Sequence, residues 1–325
     1  ETGYERETNP LLSRQPGIVA FSKVLTESNT THKSVPMLMS DITACNFDSI
    51  YHQKGIITAF KEAGYQTAFF SNQRYNHSFI DFFGKEADTF DFIKEDSLDS
   101  AYNPSDDELL ALVAKELSKG NQKQFIVLHT YGSHFNYRER YPSEDAFFLP
   151  DYPVEAEVKY RDNLVNAYDN TIRYTDSFLS RLIHMLEEQH VDAAMLYTSD
   201  HGEDIFDDSR HLFLHASPVP SYYQLHVPFL IWMSDTYREA YPEHWQTVTK
   251  NKDKDLSSSR SFFPTMLELG GVQTSYRNDS SSVVSPLYTM KPRVYLNDHN
   301  EPRPLDDLGM KQPDFQKCQV LGIKY

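Results

Sequence analysis

The chain has 325 residues, enough for one large domain or two small ones, and 39% of them are hydrophobic, so a substantial core is available. The formal net charge of -16 argues against general nucleic-acid binding, which requires clustered Lys and Arg facing phosphates. No stretch approaches the ~18 consecutive apolar residues of a membrane span, and Cys45 and Cys318 are too few for a disulfide framework, although the two could pair.

Short apolar runs rich in β-branched and aromatic residues recur along the chain. Most of these runs are continuously apolar, which is typical of strands that are buried on both faces. They predict strands over 64–72, 124–132, 192–200, 227–233 and 293–297.

Helical patterns stand between these runs. They predict helices over 55–63, over 105–119, over 155–189, and over 261–271 starting near Pro264. Alternation of strands and helices predicts an α/β fold with a central, mostly parallel sheet and helices on both faces. In such folds ligands bind at the carboxyl ends of the strands.

Two stretches, 136–158 and 234–257, are long, polar and rich in tyrosine and charge. We expect loops here. They either rim a substrate site or are plain surface insertions.

Charged residues follow the predicted strand 192–200 directly. Asp200 and His201 offer the oxygen and nitrogen ligands that zinc accepts, and Gly202 permits the sharp turn that would let both reach one ion. The same residues could instead cap the next helix, because Asp-His-Gly alone is a weak signal.

Further histidines lie near predicted strand ends. His129 and His134 follow the strand over 124–132, and His211 and His215 lie shortly after His201. Histidines at two strand ends can converge on one edge of a sheet, although each is equally compatible with a structural hydrogen bond.

A nucleophile is best sought in the hydroxyl-rich stretch 26–40. The sequence lacks the Gly-x-Ser-x-Gly motif of α/β-hydrolases, and Cys45 has no evident basic partner. A threonine hydroxyl becomes a nucleophile when a metal ion lowers its pKa. Helix N-capping is the alternative use of these residues, and both uses are compatible because a helix N-terminus also favours an anion.

Several blocks together resemble the zinc-dependent phosphoethanolamine transferases of the alkaline phosphatase and sulfatase superfamily. The blocks are LYTSDHGED, VLHTYGSHFNYRERYP, NAYDNTIRYTDSFL, HVPFLIWMS and GYERETNP. The family includes enzymes that modify lipid A or the lipopolysaccharide core and confer polymyxin resistance. The resemblance runs from about residue 3 to 235, and more loosely to the helix near Phe262.

The resemblance implies a site. Asp200 and His201 match the metal-binding pair of the SDHGE block. Thr31 matches the family's nucleophilic threonine, which is also a zinc ligand. One zinc ion, and a second in some arrangements, is expected.

Three more residues match the family's catalytic set. His134 and His215 match histidines that face the substrate phosphate or a second metal. Glu203 matches the glutamate of the SDHGE block, which is expected to contact the metal ligands without binding the metal itself.

The implied reaction transfers phosphoethanolamine from phosphatidylethanolamine to a lipopolysaccharide acceptor, either a lipid A phosphate or a core sugar, through a covalent Thr31 intermediate. The resemblance further implies a monomeric catalytic domain over residues 1–325, facing the periplasm of a Gram-negative cell. It would be attached to the inner membrane through a segment outside this sequence.

The sequence departs from the family in three respects. The family's fourth ligand, a glutamate, lies on a first strand that is expected to be absent here, and Glu1 is either its remnant or a tag residue. Glu27 and Met37 stand where some members carry cysteines that staple the nucleophile loop. The membrane-spanning part is not in this sequence.

Alternatives within the superfamily remain. A sulfatase forms its nucleophile in a [CS]-x-P-x-R pattern, which 34–38 begins but does not complete, since Leu38 replaces the arginine. A phosphoglycerol transferase uses similar chemistry. A binding domain that has lost catalysis is the alternative from another class.

Overall fold

A computed structural model describes residues 4–75, 77–94, 103–120 and 123–325. Glu1 therefore lies outside the described residues. The helices are α1 Thr31–Met39, α2 Ile56–Glu62, α3 Phe79–Gly84, α4 Glu108–Leu117, α5 Arg161–Glu187, α6 Tyr222–Leu225, α7 Asp235–Ala240, α8 Pro242–Asn251, α9 Ser258–Leu269 and α10 Gln312–Val320.

Strands alternate with these helices, as predicted. They are β1 Ile18–Phe21, β2 Val24–Leu25, β3 Gln66–Arg74, β4 Thr89–Lys94, β5 Gln124–His129, β6 Ala194–Thr198, β7 Asp204–Ile205, β8 Phe213–Leu214, β9 Phe229–Met233, β10 Leu256–Ser257, β11 Val294–Leu296 and β12 Pro302–Pro304. All five predicted strands are confirmed, with ends that move by a few residues.

The main strands form two groups of three within the described residues. One group has the order β4-β3-β5 and is parallel throughout. The other has the order β1-β9-β6, in which the central β9 is antiparallel to both neighbours. The prediction of a mostly parallel sheet is therefore confirmed, with β9 as the exception.

Helices cover both faces of these strands. On one face, α1, α2 and α9 pack against Phe69 of β3 and Phe125 of β5. On the other, α4 and α5 pack against Phe70 of β3 and Trp232 of β9. Neighbouring residues of β3 thus point to opposite faces, as the period of a strand requires.

Some elements differ from the sequence expectation. The stretch 234–257 is largely helical: Ser234 accepts a hydrogen bond from the Tyr237 amide to cap α7, and Pro242 occupies the first turn of α8. Helix α9 begins at Ser258, and Pro264 lies inside it. The short β1 and the half-exposed β4 were not predicted, because neither is a long apolar run.

A buried ion pair anchors the loop that leads into α1. Glu27 is 1% exposed, and its Oε1 accepts hydrogen bonds from Arg260 Nε at 3.1 Å and from Ser257 Oγ at 3.1 Å. Its Oε2 accepts from the Ala44 amide at 2.7 Å. The ion pair therefore fastens this loop to α9.

Met37 is fully buried in the core. Cys45 and Cys318 are both free thiols, so they do not pair. Among the described helices, none combines the length and the apolar character that crossing a bilayer requires.

Glu27→Ala is expected to lower the free energy of unfolding by about 3–5 kcal/mol, because it leaves the mostly buried Arg260 without its carboxylate. Urea unfolding followed by circular dichroism measures the loss. The double variant Glu27→Leu, Arg260→Leu is the control, and it should recover most of the stability because no buried charge is left unpaired. Equal losses in the single and double variants would show that the ion pair is not the anchor.

Candidate catalytic site

The candidate site lies where the carboxyl end of β6 meets the amino end of α1. Thr31 is the first residue of α1, and its Oγ1 is 3.0 Å from Nε2 of His201. The neighbouring hydroxyl, that of Thr30, is buried and 3.2 Å from Ser28 Oγ. The fold therefore brings Thr31 to the imidazole and gives Thr30 a structural partner.

Asp200 approaches the same nitrogen of this imidazole. Its Oδ2 is 3.4 Å from His201 Nε2, and its backbone carbonyl accepts a hydrogen bond from Thr26 Oγ1 at 2.9 Å. Burial raises the pKa of Asp200, but the interactions with His201 and with the Thr31 hydroxyl outweigh it and place the pKa below its ordinary value. Asp200 is therefore an ionised carboxylate near neutral pH.

The orientation of His201 follows from its second nitrogen. Nδ1 lies 3.0 Å from the Gly202 carbonyl oxygen, which can only accept a hydrogen bond. Nδ1 therefore carries a proton, and Nε2 faces Thr31 and Asp200. This is the arrangement in which a histidine can bind a metal ion or accept the threonine proton.

A second imidazole lies close to the first and is tilted relative to it. The ring of His215 lies 4.1 Å from that of His201, centroid to centroid. Glu203 orients His215, because its Oε1 is 3.1 Å from His215 Nδ1. The other oxygen, Oε2, accepts a 2.5 Å hydrogen bond from the Tyr137 hydroxyl. Burial and the Glu203 charge raise the pKa of Tyr137, so its hydroxyl stays a donor.

His134 approaches from the turn after β5. Its ring is exposed and lies 6.0 Å from that of His215. Asp106 fixes this turn by accepting hydrogen bonds from the Tyr131 and Gly132 amides at 3.1 and 3.2 Å. Burial raises the pKa of Asp106 to about 6. Asp106 was not among the predicted site residues, because its bond partners lie far along the chain.

His129 and His211, the other two histidines near predicted strand ends, differ in their surroundings. His129 ends β5, and its Nδ1 is 2.9 Å from Ser71 Oγ. Burial lowers the pKa of His129 to about 4, so the ring is neutral. His211 is exposed in a turn, where its amide donates to the Asp208 carbonyl. For His129, the signal available in the sequence was its position at the end of β5.

The residues present fit part of a zinc site. Within the described ranges, no group of three His, Cys, Asp or Glu side chains could hold a metal ion. Two such side chains, Asp200 and His201, do converge with the Thr31 hydroxyl. Tetrahedral zinc with bonds of about 2.0–2.2 Å separates its ligands by roughly 3.4 Å, and the contacts of 3.0 and 3.4 Å are close to this spacing. An anionic oxygen, an imidazole and a hydroxyl suit zinc and leave a fourth position open.

Glycine is required at position 202 because a side chain has no room there, and not because the backbone adopts an unusual conformation. Its backbone φ is not in the left-handed region, but a Cβ at this position would lie 2.1 Å from the Tyr223 carbonyl oxygen. Its amide also donates to the Gln224 carbonyl at 2.9 Å. The close approach of the 223–224 backbone, and not conformational freedom, therefore requires glycine beside His201.

The chain is similar to several known proteins. The family model described as Sulfatase matches residues 1–272. The phosphoethanolamine transferase EptA of Salmonella typhimurium is 29% identical over 293 residues, which cover 87% of this chain and 52% of that protein. The chain thus spans about half the length of the curated relatives it matches.

Solved structures show a similar fold. The C-terminal periplasmic domain of EcEptC from Escherichia coli, in complex with Zn, superposes with a TM-score of 0.85 at 24% identity, covering 95% of this chain and 88% of that one. The integral membrane protein lipooligosaccharide phosphoethanolamine transferase A (EptA) from Neisseria meningitidis gives a TM-score of 0.76 at 26% identity, covering 87% of this chain and 54% of that one.

Gly202→Ala is expected to destabilise the fold by about 1–3 kcal/mol and to displace His201, because the new methyl group meets backbone that cannot move aside. Thermal unfolding and zinc affinity, measured by titration calorimetry, report the two effects. Gly120→Ala is the control: a Cβ there meets nothing within 4 Å, so only the strain of its φ of +67° lowers stability. Unchanged zinc affinity in Gly202→Ala would contradict this role.

Proposed function

The chain belongs to the sulfatase family, and from this premise we propose that it is a zinc-dependent phosphoethanolamine transferase. The observation that carries the proposal is the placement of the Thr31 hydroxyl at the amino end of a helix, 3.0 Å from Nε2 of His201. The names of the relative from Salmonella typhimurium and of the structural neighbour from Neisseria meningitidis support the phosphoethanolamine group.

In the first step, the Thr31 oxygen attacks the phosphorus of phosphatidylethanolamine. The bond from phosphorus to the glycerol oxygen breaks, a proton returns to that oxygen, and diacylglycerol leaves. Phosphoethanolamine remains on Thr31. In the second step an acceptor oxygen attacks the same phosphorus, and Thr31 is released with its proton.

Zinc bound by Thr31, Asp200 and His201 would lower the pKa of the threonine hydroxyl and neutralise charge on a phosphoryl oxygen. The neighbour from Escherichia coli was solved in complex with Zn, which supports this choice of metal. Asp200 contributes a negative charge that is kept ionised by its surroundings.

The chain itself supplies further binding groups for the phosphoryl oxygens. Thr31 is the first residue of α1, so the positive end of the helix dipole faces the group that is transferred. His215 has its Nδ1 held by Glu203, which leaves Nε2 as the nitrogen that can meet the substrate. We assign His134 and His215 to the phosphoryl or leaving oxygens, or to a second zinc ion, and Glu203 to the orientation of His215.

The acceptor is proposed to be a lipopolysaccharide, either a lipid A phosphate or a core sugar hydroxyl. The name of the neighbour from Neisseria meningitidis includes lipooligosaccharide, which supports a glycolipid. Donor and acceptor would both be membrane lipids. We therefore place residues 1–325 as one monomeric catalytic domain at the periplasmic face of the inner membrane, held there by a membrane-embedded part like that of the integral membrane neighbour.

The sulfatase alternative has less support from the site. The serine that begins the incomplete sulfatase pattern, Ser34, is fully buried in α1 and donates to the Thr30 carbonyl at 2.8 Å. Cys45 is exposed outside α1, in the 3-10 helix Ala44–His52. Ser34 Oγ also lies 3.4 Å from Asp200 Oδ2, but it is buried within the helix, one turn after Thr31 and not at the helix end that contacts His201.

Thr31→Ala is expected to abolish the covalent intermediate and to lower the rate of transfer by at least about 10³-fold, because the attacking oxygen is removed. Intact mass spectrometry after incubation with zinc and phosphatidylethanolamine vesicles detects the adduct, and peptide mapping places it.

Two matched variants complete this experiment. Thr31→Ser keeps a hydroxyl and should still form the adduct, and Thr30→Ala removes the neighbouring hydroxyl and should leave it on Thr31. An adduct in Thr31→Ala would move the nucleophile elsewhere. Zinc binding without any adduct in the unaltered chain would favour a binding domain that has lost catalysis.

A further inference from the structure

A buried glutamine of the short helix α6, Gln224, lies at the meeting point of the segments that form the candidate site. The residue is 0% exposed. Its side-chain amide makes hydrogen bonds to the loop before α1, to β7 and to the segment 214–217. One amide group thus joins three parts of the chain that lie far apart in sequence.

The oxygen of this amide holds the loop that leads to Thr31. Oε1 of Gln224 accepts a hydrogen bond from Asn29 Nδ2 at 2.6 Å, and Asn29 comes two residues before Thr31. Asn29 is itself 1% exposed, and its Oδ1 accepts a hydrogen bond from the Tyr295 hydroxyl at 2.6 Å. The amide of Asn29 is therefore held in one orientation, with its nitrogen toward Gln224.

The nitrogen of the same glutamine amide holds the segment that carries His215. Nε2 of Gln224 donates to the Leu214 carbonyl at 3.2 Å and to Ser217 Oγ at 2.8 Å. These two residues stand before and after His215 in the chain. Nε2 also donates to Asp204 Oδ2 at 2.6 Å. Carbonyl and carboxylate oxygens accept hydrogen bonds, so the nitrogen of Gln224, and not its oxygen, faces this segment.

The backbone around His215 has a conformation that needs such support. Leu214 and Ala216 have φ angles of +65° and +62°, in the left-handed region that residues with a Cβ rarely adopt. The Ala216 amide donates to the Asn29 carbonyl at 3.1 Å, and Asn29 Nδ2 donates to the Ser217 carbonyl at 3.0 Å. Strained conformations of this kind persist only where the surrounding structure holds them.

The backbone of Gln224 reaches the remaining part of the site. Its carbonyl accepts a hydrogen bond from the amide of Gly202, the residue after His201. The ring of His201 lies 4.1 Å from that of His215, and its Nε2 lies 3.0 Å from Thr31 Oγ1. Gln224 therefore bonds to near neighbours of all three site residues.

We propose that Gln224 is a positioning residue that holds His215 at its place beside His201. It acts through the hydrogen bonds of its side chain to the segment 214–217 and to the loop before α1. An effect of Gln224 on the rate rests on the proposed transfer function, in which His215 meets the phosphoryl oxygens. Its effect on the position of His215 rests on the hydrogen bonds alone.

Another buried amide, that of Asn251, provides a matched comparison. Asn251 is 3% exposed at the end of α8, and its Nδ2 donates to the Val283 carbonyl at 2.9 Å. The amide thus satisfies a buried backbone group, as most buried side-chain amides do. Since α8 contributes no residue to the candidate site, loss of this amide affects stability without changing the position of His215.

Gln224→Met and Asn251→Leu test the proposal together, because each replaces a buried amide by an apolar side chain of similar size. In crystals of Gln224→Met, we expect the ring of His215 to lie at least about 1 Å farther from that of His201. The rate of adduct formation on Thr31 is measured with zinc and saturating phosphatidylethanolamine vesicles, at a temperature where every variant is folded. It should fall about 10²-fold in Gln224→Met and stay unchanged in Asn251→Leu.

Gln224→Asn is the second variant, should Gln224→Met fail to fold. It keeps an amide but withdraws it by one methylene group, so we expect a smaller displacement of His215 in the same sense. His215 unmoved in a folded Gln224 variant, or an equal loss of rate in Gln224→Met and Asn251→Leu, would overturn the proposal. No adduct in the unaltered chain would count against the transfer function instead, and the ring distance would still decide the role of Gln224.

Discussion

The contact between Thr31 Oγ1 and His201 Nε2 joins the two parts of the molecule on which the site depends. Thr31 begins α1, and His201 follows β6, so the contact holds only if the helix and the strand keep their relative positions. The surrounding interactions serve this purpose. The Gly202 carbonyl orients the imidazole, and the bare α-carbon of Gly202 lets the Tyr223 carbonyl pack against it.

Buried carboxyl groups anchor the segments around this contact. Glu27 ties the loop before α1 to Arg260 of α9. Asp106 holds the turn that carries His134, because it accepts hydrogen bonds from two backbone amides of that turn. Both carboxylates are buried, so each is stable only while all of its partners remain in place. Such anchors fix geometry more than they add net stability, which suits a site whose atoms must stay within a few tenths of an ångström.

The sequence alone predicts those features that local patterns encode. Asp200 and His201 stand out because charge follows an apolar run, and Thr31 because hydroxyls precede a helical pattern. The Glu27–Arg260 pair was not predicted, because its members lie far apart in sequence and no local pattern links them. The direction of β9 was equally hidden, since an apolar run carries no information on which way a strand runs. The helices α7 and α8 were predicted as a loop, because their polar composition outweighed the signals from Ser234 and Pro242.

The central claim is that Thr31, Asp200 and His201 share one zinc ion. Diffraction from zinc-soaked crystals, recorded on both sides of the zinc absorption edge, tests it most directly. The account predicts one anomalous peak within about 2.0–2.2 Å of Thr31 Oγ1, His201 Nε2 and an Asp200 oxygen, and its loss in Asp200→Asn crystals soaked in the same way. No peak at these three atoms, or one of equal height in Asp200→Asn, would contradict the account.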